Sequence, residues 1–189
     1  MKISSFVRAE SSLEKPPVAV LLPGAGYTVM GPLLYWCAEL LAQAGWHVQG
    51  VEWKLDDHAL NDPHAFVENA VANAFADAPT SSRRLIVAKS FGCFALPWAR
   101  SNDIPGIWMT PVLTDERVFR ALIEASPADL TIDGGADPVW MPEAIAATRA
   151  TVLSVPNANH SLTIPGDWRA SLEAQQTVFE SIAEHIERR

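Results

Sequence analysis

Cysteine and charge are both scarce in this chain, and their scarcity narrows its class before any motif is considered. Cysteine occurs twice, at Cys37 and Cys93. Two thiols are too few for a disulfide framework and fit a reducing compartment. Charged residues make up 19% of the 189 residues, and 14 Lys and Arg against 22 Asp and Glu leave a formal net charge of −8. Nucleic acid and anionic membrane surfaces are therefore not expected as partners, because binding phosphate needs a basic footprint. No apolar run reaches the roughly 18 residues of a membrane span. The opening stretch MKISSFVRAE holds none long enough for a signal peptide, so a cytoplasmic protein is expected. No Cys/His cluster has metal-ligand spacing, and the Gly-x-x-x-x-Gly-Lys-Ser/Thr phosphate loop is missing. Neither metal nor cofactor is expected.

What is abundant is apolar sequence, at 49%. That composition and length predict one globular domain over residues 1–189, with 1–16 as an N-terminal arm holding a short strand near 3–8. Beyond Pro16-Pro17, short apolar runs alternate with segments of helical spacing. The predicted strands are 18–22, 47–53, 85–89, 106–110, 129–133 and 151–155. The predicted helices are 31–44, 63–76, 91–100, 115–125, 142–150 and 170–188, the last with Leu172, Val178, Phe179, Ile182 and Ile186 inward. Residues 54–62 read as a polar loop. Continuous apolar runs mark strands buried on both faces. Strands alternating with helices predict a three-layer doubly wound α/β sandwich of about six mainly parallel strands, with helices on both faces. In such sheets the chemistry lies beyond the carboxyl ends of the strands.

Three strand exits carry the relevant residue types. After 85–89 comes Ala88-Lys89-Ser90-Phe91-Gly92, a serine between small residues on a strand-to-helix turn. Such a turn lifts a hydroxyl above the sheet edge at a helix N-terminus. A helix-capping serine is the plainer reading. A nucleophilic serine needs a base, and the base needs an orienting acid. After 129–133 comes Gly134-Gly135-Ala136-Asp137-Pro138, and after 151–155 comes Asn159-His160-Ser161. Ser90, Asp137 and His160 thus follow one another in the nucleophile–acid–base order, each after a strand. Asp133 is the competing acid, still within its strand. His47, His64 and His185 fall at the wrong end of the sheet or in helices, and His58 lies in a loop on the active edge.

The loop Pro23-Gly24-Ala25-Gly26-Tyr27 follows the first core strand. Its amides, Ala25 first and Gly26 or Tyr27 as alternatives, together with that of Phe91, are candidates for an oxyanion hole. Gly24-Ala25-Gly26 also opens a dinucleotide fingerprint, but Val29 stands where that pattern needs glycine or alanine.

These four motifs together resemble the α/β-hydrolase superfamily, and more narrowly its small, lidless, dienelactone-hydrolase-like members, over residues 17–187. Pro23 and Ala88 depart from the usual histidine and first elbow glycine. No cap domain interrupts 111–116. The resemblance implies the α/β-hydrolase fold without a cap, and a serine hydrolase of the carboxylesterase kind acting on a small-molecule acyl substrate. The oligomeric state is left open.

Tyr27, Trp53, Met109, Trp140 and Trp168, near predicted strand ends, are candidates for a mostly apolar substrate pocket. An ester, a thioester or a small amide would each suit the mechanism. A non-catalytic binding module on this fold and a nucleotide-binding protein are the alternatives.

Overall fold

The computed structural model describes residues 1–6 and 13–188. Seven strands form one sheet in the order β1-β3-β2-β4-β5-β6-β7. They are β1 (Lys2–Ser5), β2 (Val18–Leu22), β3 (His47–Glu52), β4 (Arg84–Lys89), β5 (Gly106–Met109), β6 (Leu130–Gly134) and β7 (Thr151–Val155). β2 to β7 run parallel, and β1 adds an antiparallel edge, with Lys2 opposite Glu52. The strand expected near 3–8 is thus seen as β1, and its last two positions fall outside the described residues.

Side chains alternate across a strand, so each core strand feeds two layers. Ala19, Leu21, Leu85, Val87, Ile107 and Ile132 face α1 (Pro32–Gln43) and α7 (Trp168–Glu187). Val18, Val20, Leu22, Ile86 and Trp108 face the other side, covered by α3 (Pro63–Ala76), α4 (Leu96–Ser101), α5 (Glu116–Ile123) and α6 (Pro142–Ala147). This is the three-layer, mostly parallel sandwich. Only residues 110–115 separate β5 from α5, so no cap domain is inserted there.

Three local expectations need correction. The polar stretch 54–62 contains a short helix, α2 (Asp57–Asn61), because Asp56 accepts from the Ala59 amide and caps it. The helix expected over 91–100 opens as a 3-10 turn at Ser90–Ala95 before α4. Pro97 has no N–H to give the Cys93 carbonyl, which takes the Leu96 amide instead. Leu172 points outward and is 58% exposed. The buried stripe of α7 runs through Ser171, Val178, Ile182 and His185, and Leu172 sits one residue off it.

Candidate active site

The sheet changes winding direction at β2, which lies between β3 and β4. At such a switch point the loops after neighbouring strands diverge, and ligands bind outside the carboxyl edge. Ser90 stands at this point with φ of 51°, a left-handed conformation that a serine adopts only under constraint. The constraint is visible at Gly92, where a Cβ would overlap the carbonyl oxygen of Leu22. Only glycine lets the chain turn so close to β2. Ala88, by contrast, buries its methyl in the core, which explains why alanine serves at the first small position.

Two loops bring partners to that hydroxyl. The β7–α7 loop places His160 Nε2 2.8 Å from Ser90 Oγ. The β6–α6 loop places Asp137 Oδ2 2.7 Å from His160 Nδ1. The carboxylate can only accept, so Nδ1 carries the proton and Nε2 accepts from the serine hydroxyl. Asp137 is buried and also accepts from the Val139 amide at 3.1 Å. The imidazole is partly open to solvent. The chain Asp137–His160–Ser90 has the geometry in which an imidazole can take a hydroxyl proton while a buried carboxylate steadies the resulting cation.

The histidine loop is built to hold its shape. Asn157 and Leu162 both have positive φ, at 61° and 54°. Asn159 Oδ1 accepts from the Ser161 and Thr163 amides and from Thr163 Oγ1. The Ala136 amide donates to the Ala158 carbonyl, tying this loop to the one that carries Asp137. A side chain at Gly134 would overlap that same carbonyl, so glycine keeps the two loops in contact.

Asp133, the competing acid, lies fully buried in β6 and accepts from Ser154 Oγ at 3.2 Å. Its other oxygen has no partner among the described residues. Burial, with repulsion from Asp137 adding to it, pushes its carboxyl up to about 6 against the Ser154 hydrogen bond. His160 is bonded to Asp137 instead. The other histidines lie elsewhere: His64 pairs with Asp115, His185 Nε2 lies 3.2 Å from the Ala128 carbonyl, His47 opens β3 and His58 is exposed on α2.

The β2–α1 loop lies against the nucleophile turn, with an added Gly24 Cβ falling 3.3 Å from Ser90 Cβ. Within it the Tyr27 amide donates to Gly24 O, whereas no described residue accepts from the amides of Ala25 or Gly26. The Phe91 amide is in the first turn of the 3-10 segment, where no intrahelical acceptor exists.

Tyr27 and Trp53 line a cleft of about 480 Å³ together with Lys2, Thr28, Glu52 and Lys54. Trp53 also packs edge-on against Phe91, ring centres 5.9 Å apart. Trp140 is part-buried, its amide donating to Asp137 O. Trp168 is exposed at the start of α7. Met109 does not belong with them. It faces the α1 and α7 layer, is fully buried, and offers a substrate no surface.

Lys89 drew no role from the motif, where it fills the variable position before the serine. Its Nζ donates to the main-chain oxygen of His160 at 3.1 Å and to Thr110 Oγ1 at 3.4 Å. A lysine closing the buried apolar run Leu85–Ala88 was the available signal.

No protein-family model and no curated protein matches the chain by sequence. Solved structures do match it. Est1E from Butyrivibrio proteoclasticus, in a structure with ferulic acid bound, superposes with a TM-score of 0.69 at 16% identity, over 98% of this chain and 96% of that one. XC6422 from Xanthomonas campestris, described as an α/β serine hydrolase without a lid, gives 0.66 at 17% identity, over 98% and 87%. Dienelactone hydrolase from Anabaena variabilis gives 0.68 at 18% identity, over 92% and 87%. With its sheet order and these neighbours, the chain has the α/β-hydrolase fold, without a cap domain.

Proposed function

We propose that the protein is a serine hydrolase that cleaves a small carboxylic ester, or a related acyl substrate, through Ser90, His160 and Asp137. One observation carries this reading: the unbroken hydrogen-bonded chain from the Asp137 carboxylate through His160 to the Ser90 hydroxyl. A helix-capping serine would need no imidazole, and a binding module would need no buried carboxylate behind it.

In the proposed cycle Ser90 Oγ attacks the acyl carbon as His160 Nε2 takes its proton. Asp137 holds the imidazole in the accepting tautomer and offsets its charge. The amides of Phe91 and Ala25, with Gly26 as the alternative, receive the oxyanion. The tetrahedral intermediate collapses as His160 gives its proton to the leaving oxygen. Water, activated by the same imidazole, then frees the acid and restores Ser90. Tyr27, Trp53 and Trp140 are the proposed substrate contacts. That Est1E, on the same fold, was solved with ferulic acid bound supports a carboxylic acyl substrate. A cytoplasmic location is part of the proposal, supported by two cysteines that are free and buried.

A panel of p-nitrophenyl esters of increasing chain length tests it. The wild type should hydrolyse the short members, and Ser90→Ala should lose about three orders of magnitude or more in kcat. Undiminished hydrolysis by Ser90→Ala would reject the nucleophile.

A further inference from the structure

A buried lysine stands directly before the nucleophile. Lys89 ends β4, is only 4% exposed, and shares its strand end with Ser90. Sequence neighbours on a strand point to opposite faces. Its stem therefore runs beneath the carboxyl edge on the α1 and α7 side. There the ammonium meets three loops. It donates to the His160 carbonyl and to Thr110 Oγ1, and lies 5.3 Å from the face of the Tyr27 ring. Thr110 is itself fully buried, with φ of 47°.

Resting on the reading of Ser90, His160 and Asp137 proposed above, we infer that Lys89 is a positioning residue for His160. Its ammonium pins the main-chain oxygen of the histidine to the strand that carries Ser90.

The positioning follows from the bond itself. The base loop contains two residues in left-handed conformations and would relax without outside contacts. Asn159 braces it from within, and Ala136 braces it to the acid loop. Lys89 is the brace to the nucleophile's own strand, so it fixes the distance between base and hydroxyl. A misplacement of about 1 Å at such a point can cost on the order of a hundredfold in rate.

The strength of that tie follows from what surrounds the ammonium. The titratable groups facing it are Tyr27 from the β2–α1 loop, Cys93 from the 3-10 turn, Asp137 from the β6–α6 loop and His160 from the β7–α7 loop. Burial lowers the ammonium below the ordinary lysine range, while Cys93 and Asp137 act against that. Burial also pushes the Cys93 thiol far up and raises Tyr27, so both are neutral near pH 7. A buried ammonium donating to a carbonyl makes a charge-assisted hydrogen bond, stronger than a neutral one, so the tie to His160 is a firm one.

The test is the rate at which a fluorophosphonate probe modifies Ser90 in folded protein, which needs no knowledge of the substrate. In Lys89→Met the rate should fall about tenfold. Lys89→Arg keeps a cationic donor for the His160 carbonyl and should recover most of that loss. A Lys89→Met rate within about twofold of wild type overturns the inference. So does a Lys89→Arg that reacts no faster than Lys89→Met at equal folded fraction. Should Lys89→Met fail to fold, a Lys89→Arg that loses the full tenfold overturns it equally. A wild type that the probe never labels at Ser90 rejects the underlying hydrolase reading, and this inference with it.

Discussion

Asp133 and Asp137 leave the same strand and meet opposite fates. Asp137 reaches beyond the strand end, where His160 and the Val139 amide satisfy it. Asp133 stays inside β6 with one oxygen bonded to Ser154 and one without a partner among the described residues. Its raised value of about 6, against 3.8 in an unfolded chain, has a definite sign for stability. Folding favours the protonated carboxyl, so the residue adds no penalty below about pH 4. The penalty grows as pH rises toward 6 and is complete above it. In Asp133→Asn the gain in Tm over wild type should therefore be smallest near pH 4 and level off above about pH 7. Thermal melts across that range check it, and a difference independent of pH would contradict it. At this scale the sequence was informative wherever a residue followed a strand. Ser90, Asp137 and His160 each did, and the structure brings them together. Met109 was misread because the edge of a strand in sequence is not the edge of its buried surface. Lys89 escaped notice because its neighbours come from loops far along the chain.

The elements were legible to the degree that burial writes a periodic pattern. β2, β5 and the centre of β4 are apolar runs because layers cover both sheet faces, and the bounds of β2 to β7 fall within a residue or two of those expected. The short helix α2 is different. It rests on one aspartate cap rather than on an apolar stripe, and its residues read as loop. Capping aspartates recur at Asp62, Asp115 and Asp167. Asp167 matters most for the site, since α7 anchors the far end of the His160 loop. Its side chain accepts from the Ala170 amide at 3.0 Å. Asp167→Ala should cost about 1 kcal/mol, which lowers Tm by about 2–4 °C in a chain of this size. Chemical denaturation would measure it, and an unchanged midpoint would mean the cap contributes nothing.

Over the whole molecule, the two edges of the sheet divide the work. The amino edge is held by Asp129, a fully buried carboxylate. It accepts from the Gly106 amide, Trp108 Nε1, and the Ser126 amide and hydroxyl, with Arg100 4.0 Å away. The carboxyl edge carries the strained turn at Ser90 and the braced loops. Removing Asp129 strands several buried donors, so Asp129→Ala should cost about 3 kcal/mol. The folded fraction should still react with a fluorophosphonate at a rate within about twofold of wild type, because perturbations at distant independent sites do not couple. A large loss of reactivity in folded protein would show the edges to be coupled. The central claim is that Ser90 is a nucleophile activated by His160 and Asp137. Mass-spectrometric mapping after fluorophosphonate treatment tests it most directly. The account predicts one adduct, on Ser90, absent in Ser90→Ala and strongly slowed in His160→Ala. An adduct on another residue, or labelling of Ser90 that is indifferent to His160, would contradict it.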